Sequence, residues 1–164
     1  MHRVDHSAKH REAIESWVRW GGRIVFSIGG AETELLSGKV SFANFFPGRF
    51  VKTISVRQLR PLEILSEESD PLIKEDVRGR NLSFEIPVFQ VDRGHLETSI
   101  RQGGQSVPLL VRAALGFGQV TLLAVDLEQP EFKTWNGTRN IIRKVLSIDR
   151  RDNGKMTPNR SGEL

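Results

Sequence analysis

The chain has 164 residues, with 24 Lys and Arg against 20 Asp and Glu and a formal net charge of +4. Hydrophobic residues make up 38%, which indicates one globular domain and excludes a wholly disordered or fibrous chain. There is no cysteine, so disulfides, cysteine metal sites and a thiol nucleophile are excluded within this chain. No apolar run approaches the ~18 residues of a membrane-spanning helix.

The first predicted elements are a helix and a short strand. The spacing predicts a helix from about Ala8 to Trp20, ended by Gly21-Gly22, and its core-facing stripe is Ile14, Trp17 and Val18, widened by Ala13 and Trp20. The run Arg23–Ile28 is β-branched and aromatic, which predicts a strand buried on both faces of a parallel, helix-covered sheet. Gly29-Gly30 ends this strand, and a second helix is predicted over residues 31–36.

The middle of the chain alternates loops with strands. Residues 37–50 form a loop whose aromatic side chains are expected to cover the edge of the core. A strand is predicted over Phe50–Val56, followed by short helical turns and loop over residues 59–82. Phe84–Val88 alternates apolar and polar residues, which predicts a strand, and Pro87 places it at an edge or a bulge.

The C-terminal half contains the clearest β signals. Leu96–Arg101 and Val107–Ala113 flank Gln102-Gly103-Gly104-Gln105, which predicts a hairpin. A strand over Gln119–Val125 ends at Asp126, and a final helix is predicted over Thr138–Leu146. Residues 149–164 are polar and are expected to form a disordered tail.

Two segments carry a resemblance to a known family. Ile14–Gly30, with Trp17-Val18-Arg19-Trp20-Gly21-Gly22 before the strand, resembles part of the class I glutamine amidotransferase-like domains of bacterial envelope-associated proteins. Pro108–Arg112 together with Leu115–Asp126 is similar to the late hairpin and strand of that family, and Phe132 and Trp135 hold the places of its Trp-bearing stretch.

The resemblance implies an α/β fold. It is a flavodoxin-like, three-layer arrangement in which a mixed sheet has helices on both faces and an antiparallel C-terminal hairpin. Residues 1–148 would form this domain in part. The family begins with strands before the Trp-Val helix, so the resemblance leads us to expect a fragment truncated at its N-terminus. It also implies a location on the extracytoplasmic side of a bacterial envelope.

The resemblance brings no catalytic group, because the family's amidotransferases use a cysteine nucleophile and this chain has none. His2, His6 and His10 recur every four residues and could share a helix face, but an N-terminal solvated face is favoured over a metal site. No metal and no cofactor is therefore predicted.

The candidate ligand-binding residues are Gly29, Gly30 and Asp126. In α/β folds, ligands bind where strands end, and backbone N–H groups after a strand can hold an anion. A structural turn at the glycines and a capping role for Asp126 are the favoured alternatives. Asp126 could also form an acid–base pair with a second group, and the partners considered are Asp92, His95 and Glu128.

Three functional hypotheses follow. The first is a non-catalytic interaction or scaffold domain that contacts a protein partner or the rest of its parent polypeptide. The second is a sugar-related small-ligand-binding domain or hydrolase that uses the Gly29-Gly30 turn. The third is weak nucleic-acid binding, which the scattered distribution of the basic residues makes less favourable.

Overall fold

A computed structural model describes residues 6–30 and 45–146 of the chain. Its helices are α1 (His6–Arg19), α2 (Arg60–Ser66), α3 (Pro130–Thr134) and α4 (Gly137–Val145). Its strands are β1 (Arg23–Ser27), β2 (Gly48–Val56), β3 (Phe84–Val91), β4 (His95–Gln102), β5 (Gln105–Leu115) and β6 (Gly118–Leu123). The expected helix over 31–36 and the polar tail over 149–164 lie outside the described residues.

The described strands form two sheets. In the larger one the order is β1-β6-β5-β4, with β1 parallel to β6 and the remaining pairs antiparallel. β2 and β3 form a separate antiparallel pair. The predicted α/β class, with a mixed sheet and an antiparallel C-terminal hairpin, is therefore confirmed. The flavodoxin-like three-layer order and the truncation stay predictions.

Two glycines form the turn of the β4–β5 hairpin. Gly103 and Gly104 have φ values of +57° and +80°. Two successive residues with positive φ match the twist of a two-residue hairpin turn, a conformation that side-chain-bearing residues rarely adopt. The predicted hairpin is therefore confirmed, as is the edge position of Pro87, since β3 belongs to a two-stranded sheet.

β1 is less buried than its apolar sequence predicts. Val25 and Phe26 are half-buried, although a strand buried on both faces is expected from the run Arg23–Ile28. The reason is position, because β1 is an outer strand of its sheet within the described part of the chain. The Phe26 ring contacts Phe45 and Phe46, with centroids 6.3 and 4.7 Å apart, so residues near the end of the 37–50 loop do cover this edge of the core.

Helix α1 contacts the sheet through a narrow stripe. Val18 is fully buried with Leu115 and Val120, and Ile14 packs against the same cluster. Trp17 and Trp20 are 55% and 85% exposed, so the prediction that they pack in the core is wrong. Successive residues of a helix are about 100° apart around its axis. When a helix contacts its neighbour along a single row of residues, the residues on either side of that row stay in solvent.

The predicted helix over Thr138–Leu146 is confirmed as α4, and its C-terminal end is bonded to two arginines on the face of the sheet opposite α1. The guanidinium of Arg112 donates to the Lys144 carbonyl, and Arg23 Nη1 donates to the Leu146 carbonyl at 3.3 Å. Successive side chains of a strand point to opposite faces of its sheet. The register therefore places Arg23 and Arg112 on the face opposite Val120, which packs with Val18 of α1. Within residues 6–30 and 45–146, no helix is both long and apolar enough to cross a membrane.

Candidate functional site

The predicted site lies where the two parallel strands end. Ser27 of β1 is in register with Leu123 of β6, and the Ile28 N–H donates to the Leu123 carbonyl at 2.9 Å. The carboxyl ends of parallel neighbours meet at one edge of a sheet. The structure therefore brings Gly29-Gly30 and Asp126 to the same edge.

Ser27 joins the two chain segments that leave this edge. Its hydroxyl donates to the Val125 carbonyl at 2.7 Å and accepts from the Leu127 N–H at 2.9 Å. Both partners belong to the segment that follows β6. One side chain at the end of β1 thus fixes the path of the chain on either side of Asp126.

Gly30 lies where the second sheet crosses the end of β1. Its N–H donates to the Glu85 carbonyl at 3.1 Å. A Cβ at this position would lie 2.8 Å from Glu85 Cβ and 2.9 Å from Thr53 Cγ2, closer than carbon atoms pack. Gly29 is buried beside it. A glycine is therefore needed for close packing against β2 and β3.

Asp126 caps the turn that leads to α3. Its Oδ1 accepts from the Glu128 N–H at 2.8 Å, the short-range bond by which aspartate stabilises turns. The three predicted acid–base partners of Asp126 have other surroundings. Glu128 forms an ion pair with Lys133 at 2.8 Å, and Asp92 forms one with Arg49 at 3.4 Å. His95 is exposed at the start of β4. A ligand-binding role for Gly29, Gly30 and Asp126 stays a prediction.

A second candidate site is a cleft of about 750 Å³ between the β2–α2 connection, α2 and residues 71–82. We call it the basic cleft. It is lined by charged, amide-bearing and apolar side chains: Arg57, Gln58, Arg60, Glu63, Pro71, Leu72, Ile73, Lys74, Asn81 and Leu82.

Glu63 holds the two walls of the basic cleft together. Its side chain is only 6% exposed, and Oε2 pairs with Arg60 Nη1 at 2.9 Å. Oε1 accepts from the buried N–H of Leu72 at 3.0 Å. Both carboxylate oxygens therefore have partners, one on α2 and one on the opposite wall.

The position of Arg57 follows from the local sequence. Val56 at the end of β2 and Leu59 before α2 are 4% and 0% exposed, so the residues between them are turned outward. Pro61 then fits the first turn of α2, where a missing N–H has no cost. Arg57 and Gln58 are thereby presented at the mouth of the basic cleft.

The wall formed by residues 74–82 is also internally ordered. Asp76 accepts from the backbone N–H groups of Arg78 and Arg80, each at 2.9 Å, and pairs with the Arg80 guanidinium. The backbone and side-chain hydrogen bonds from Arg80, together with the bond from Arg78, lower the pKa of the Asp76 carboxyl. Its negative charge is thus balanced by Arg80.

The sequence offered little signal for the basic cleft. The stretch 59–82 lacks a clean hydrophobic period, and only short turns and loop were predictable there. Arg57 and Arg60 are near one another in the chain, whereas Lys74 is distant and reaches the cleft on a segment that Glu63 bonds to α2 through the Leu72 N–H. Within the described residues, groups of three or more His, Asp or Glu placed to hold a metal ion are absent.

Comparison with known proteins gives similarity at the level of fold. No family model matches the chain, and no curated protein is significantly similar to it. The cytoplasmic protein STM3548 from Salmonella typhimurium has a TM-score of 0.56 at 13% identity, over 84% of this chain and 59% of that one. The chain therefore spans about three fifths of that protein's length, and at this identity the likeness shows the fold alone.

Two further solved structures are more distantly similar. The cytoplasmic protein STM1381 from Salmonella typhimurium LT2 has a TM-score of 0.48 at 15% identity, over 83% of this chain and 60% of that one. The exo-beta-1,4-mannosidase Op5Man5 from Opitutaceae bacterium strain TAV5 has a TM-score of 0.48 at 14% identity, over 84% of this chain and 23% of that one. Neither likeness is close enough to support an inference.

Proposed function

We propose that this chain is a non-catalytic interaction or scaffold domain of a larger protein. The observation that carries the proposal is the use of the polar groups at the ends of β1 and β6. The Ser27 hydroxyl and the Gly30 N–H bond to distant segments of the chain, and the Asp126 carboxylate accepts from the Glu128 N–H in its own turn. In α/β proteins that act on ligands, groups at these strand ends face the ligand. Here each of the three groups makes a hydrogen bond within the protein.

The same proposal includes a fold related to the class I glutamine amidotransferase-like domains. It is supported by the parallel β1–β6 pair that follows the Trp-Val helix, and by α1 and α4 on opposite faces of one sheet. A non-catalytic member of that class is consistent with a chain that contains no cysteine. Fold alone does not determine activity, so the functional part of the proposal depends on the site.

An exposed aromatic surface supports the interaction part. Trp17, Trp20 and Phe117 are 55%, 85% and 91% exposed. The Phe117 N–H donates to the Arg19 carbonyl at 2.9 Å, which holds the β5–β6 turn against the end of α1. Aromatic residues are enriched where protein surfaces associate, and grouped exposure of this kind is unusual on a free surface. We assign this surface to contact with a protein.

The non-catalytic part is tested by comparing turnover with stability. We expect the purified chain to hydrolyse neither glutamine nor a panel of simple esters. We expect Ser27→Ala to lower the free energy of unfolding by about 1–2 kcal/mol, because the Leu127 N–H loses its acceptor. Ser106→Ala, at an exposed position of β5, is the matched control and should change little. Turnover that Ser27→Ala or Asp126→Asn abolishes would overturn the proposal.

The interaction part is tested by site-specific photocrosslinking. A benzoyl-phenylalanine at position 117 is expected to crosslink to a defined protein surface in cells that express the parent protein. The control is the same group at position 77, where Val77 is a fully exposed apolar residue in another loop. Crosslinks that are equally abundant and equally varied at both positions would contradict an interface at the aromatic surface.

A further inference from the structure

We propose that the basic cleft binds a small organic phosphate monoester, with the phosphate at Arg57 and Lys74 and the organic part on the apolar wall. This site is distinct from the ends of β1 and β6 and does not depend on the scaffold proposal. The cleft volume of about 750 Å³ is within the range of small-molecule sites.

The charges that line the basic cleft favour an anion. Its lining contains three cationic side chains and one carboxylate, which leaves two positive charges. The carboxylate of Glu63 is neutralised by Arg60 and by the Leu72 N–H, so it does not offset the other two cations. A dianionic group is therefore the best electrostatic match.

Arg57 is available to a ligand. In the described part of the chain its guanidinium has no hydrogen-bond or ion-pair partner, although it lines the cleft beside Arg60. A guanidinium offers several N–H donors in one plane and binds phosphate oxygens in pairs. An exposed arginine held at a cleft mouth by two buried neighbours is suited to this contact.

Lys74 supplies a second positive charge on the opposite wall. Its Nζ lies 5.8 Å from the centroid of the Phe84 ring and 3.4 Å from the neutral Gln129 Oε1. Neither contact neutralises the ammonium group. The contacts restrict its position, so a phosphate bound at Lys74 and Arg57 would meet one cation that is already held in place, while the exposed Arg57 side chain would turn toward it.

The remaining lining favours an organic ester over free phosphate. Leu72 is buried and belongs to the core, whereas Ile73 and Leu82 are 49% and 41% exposed and present apolar surface to the cleft. The side-chain amides of Gln58 and Asn81 add polar groups near this wall. A ligand with a ring or short carbon skeleton gains by covering Ile73 and Leu82.

The test is calorimetric titration of the chain with phenyl phosphate, inorganic phosphate and phenyl β-glucoside at ~50 mM salt, where screening is weak. We expect saturable binding of phenyl phosphate, weaker binding of inorganic phosphate and none of the uncharged glucoside. Arg57→Gln should weaken phenyl phosphate binding at least about tenfold, the usual effect of losing a charge-assisted contact. Lys74→Gln should weaken it in the same direction.

Arg101→Gln is the matched control, since Arg101 is an exposed arginine in β4 that does not line the basic cleft. It removes the same charge and should leave the affinity within about twofold. Equal losses in Arg57→Gln and Arg101→Gln, or no saturable binding of phenyl phosphate, would overturn the proposal. An oligonucleotide that binds more tightly than phenyl phosphate and is weakened equally by both variants would show general nucleic-acid binding and would also overturn it.

Discussion

Replacing Gly118 with alanine is expected to destabilise the fold more than any other single-methyl addition considered for this chain. A Cβ at this position would lie 1.9 Å from the Val18 carbonyl oxygen and 2.3 Å from the Gly22 carbonyl oxygen. Both are backbone atoms, so relief requires α1 and the turn that follows it to move away from β6. We expect a loss of at least about 3 kcal/mol in the free energy of unfolding, measured by urea denaturation.

Gly104→Ala is the control for this experiment. Gly104 has a positive φ of +80°, but a Cβ there would meet nothing within 4 Å. Gly104→Ala is therefore expected to lower the free energy of unfolding by about 1 kcal/mol, from backbone strain alone. If Gly118→Ala were no more destabilising than Gly104→Ala, the close approach of α1 to the start of β6 would be wrong.

Among the three tryptophans, Trp135 is the one whose replacement by alanine is expected to lower the free energy of unfolding most. Trp135 is 8% exposed, belongs to the main core cluster and donates from Nε1 to the Asp70 carbonyl at 2.8 Å. Removing a buried tryptophan usually lowers the free energy of unfolding by about 3–5 kcal/mol. Trp135→Phe should lose less, because it keeps most of the packing and gives up one hydrogen bond worth about 1 kcal/mol.

The matched variant is Trp20→Ala, at a position that is 85% exposed. It removes the same atoms from a surface site, so the change should stay within about 0.5 kcal/mol. Thermal or urea unfolding of the three variants compares them directly. A destabilisation by Trp20→Ala as large as that by Trp135→Ala would mean that α1 lies differently on the sheet.

The tryptophans also show where sequence reasoning is limited. Trp17, Trp20 and Trp135 are equally apolar, and a pattern on one helix places Trp17 beside Val18. Only Trp135 is buried, because it meets Asp70 and the core around it across a long stretch of chain. Burial depends on what lies opposite a residue, and the local sequence does not contain that information.

The two candidate sites also differ in how much of each could be predicted from the sequence. Gly29, Gly30 and Asp126 could be picked from the sequence because glycines and an aspartate at strand ends are local signals. Their actual contacts depend on pairings between distant segments. The Gly30 N–H bonds to Glu85, and the Ser27 hydroxyl bonds to residues 125 and 127. The basic cleft has no comparable local signal, since Lys74 joins Arg57 and Arg60 through long-range packing that includes the bond from the Leu72 N–H to Glu63.

The sequence by itself determined the α/β class, the β4–β5 hairpin, the strand before Asp126, the last helix and the absence of a thiol. These depend on hydrophobic period, turn residues and composition within short windows. Among residues 6–30 and 45–146, the tertiary structure alone decided that β1 is an outer strand, that β2 and β3 form a second sheet, and which cations share a cleft. The physical reason is that strand pairing and burial are set by contacts between residues far apart in the chain, whose free energy no local pattern records.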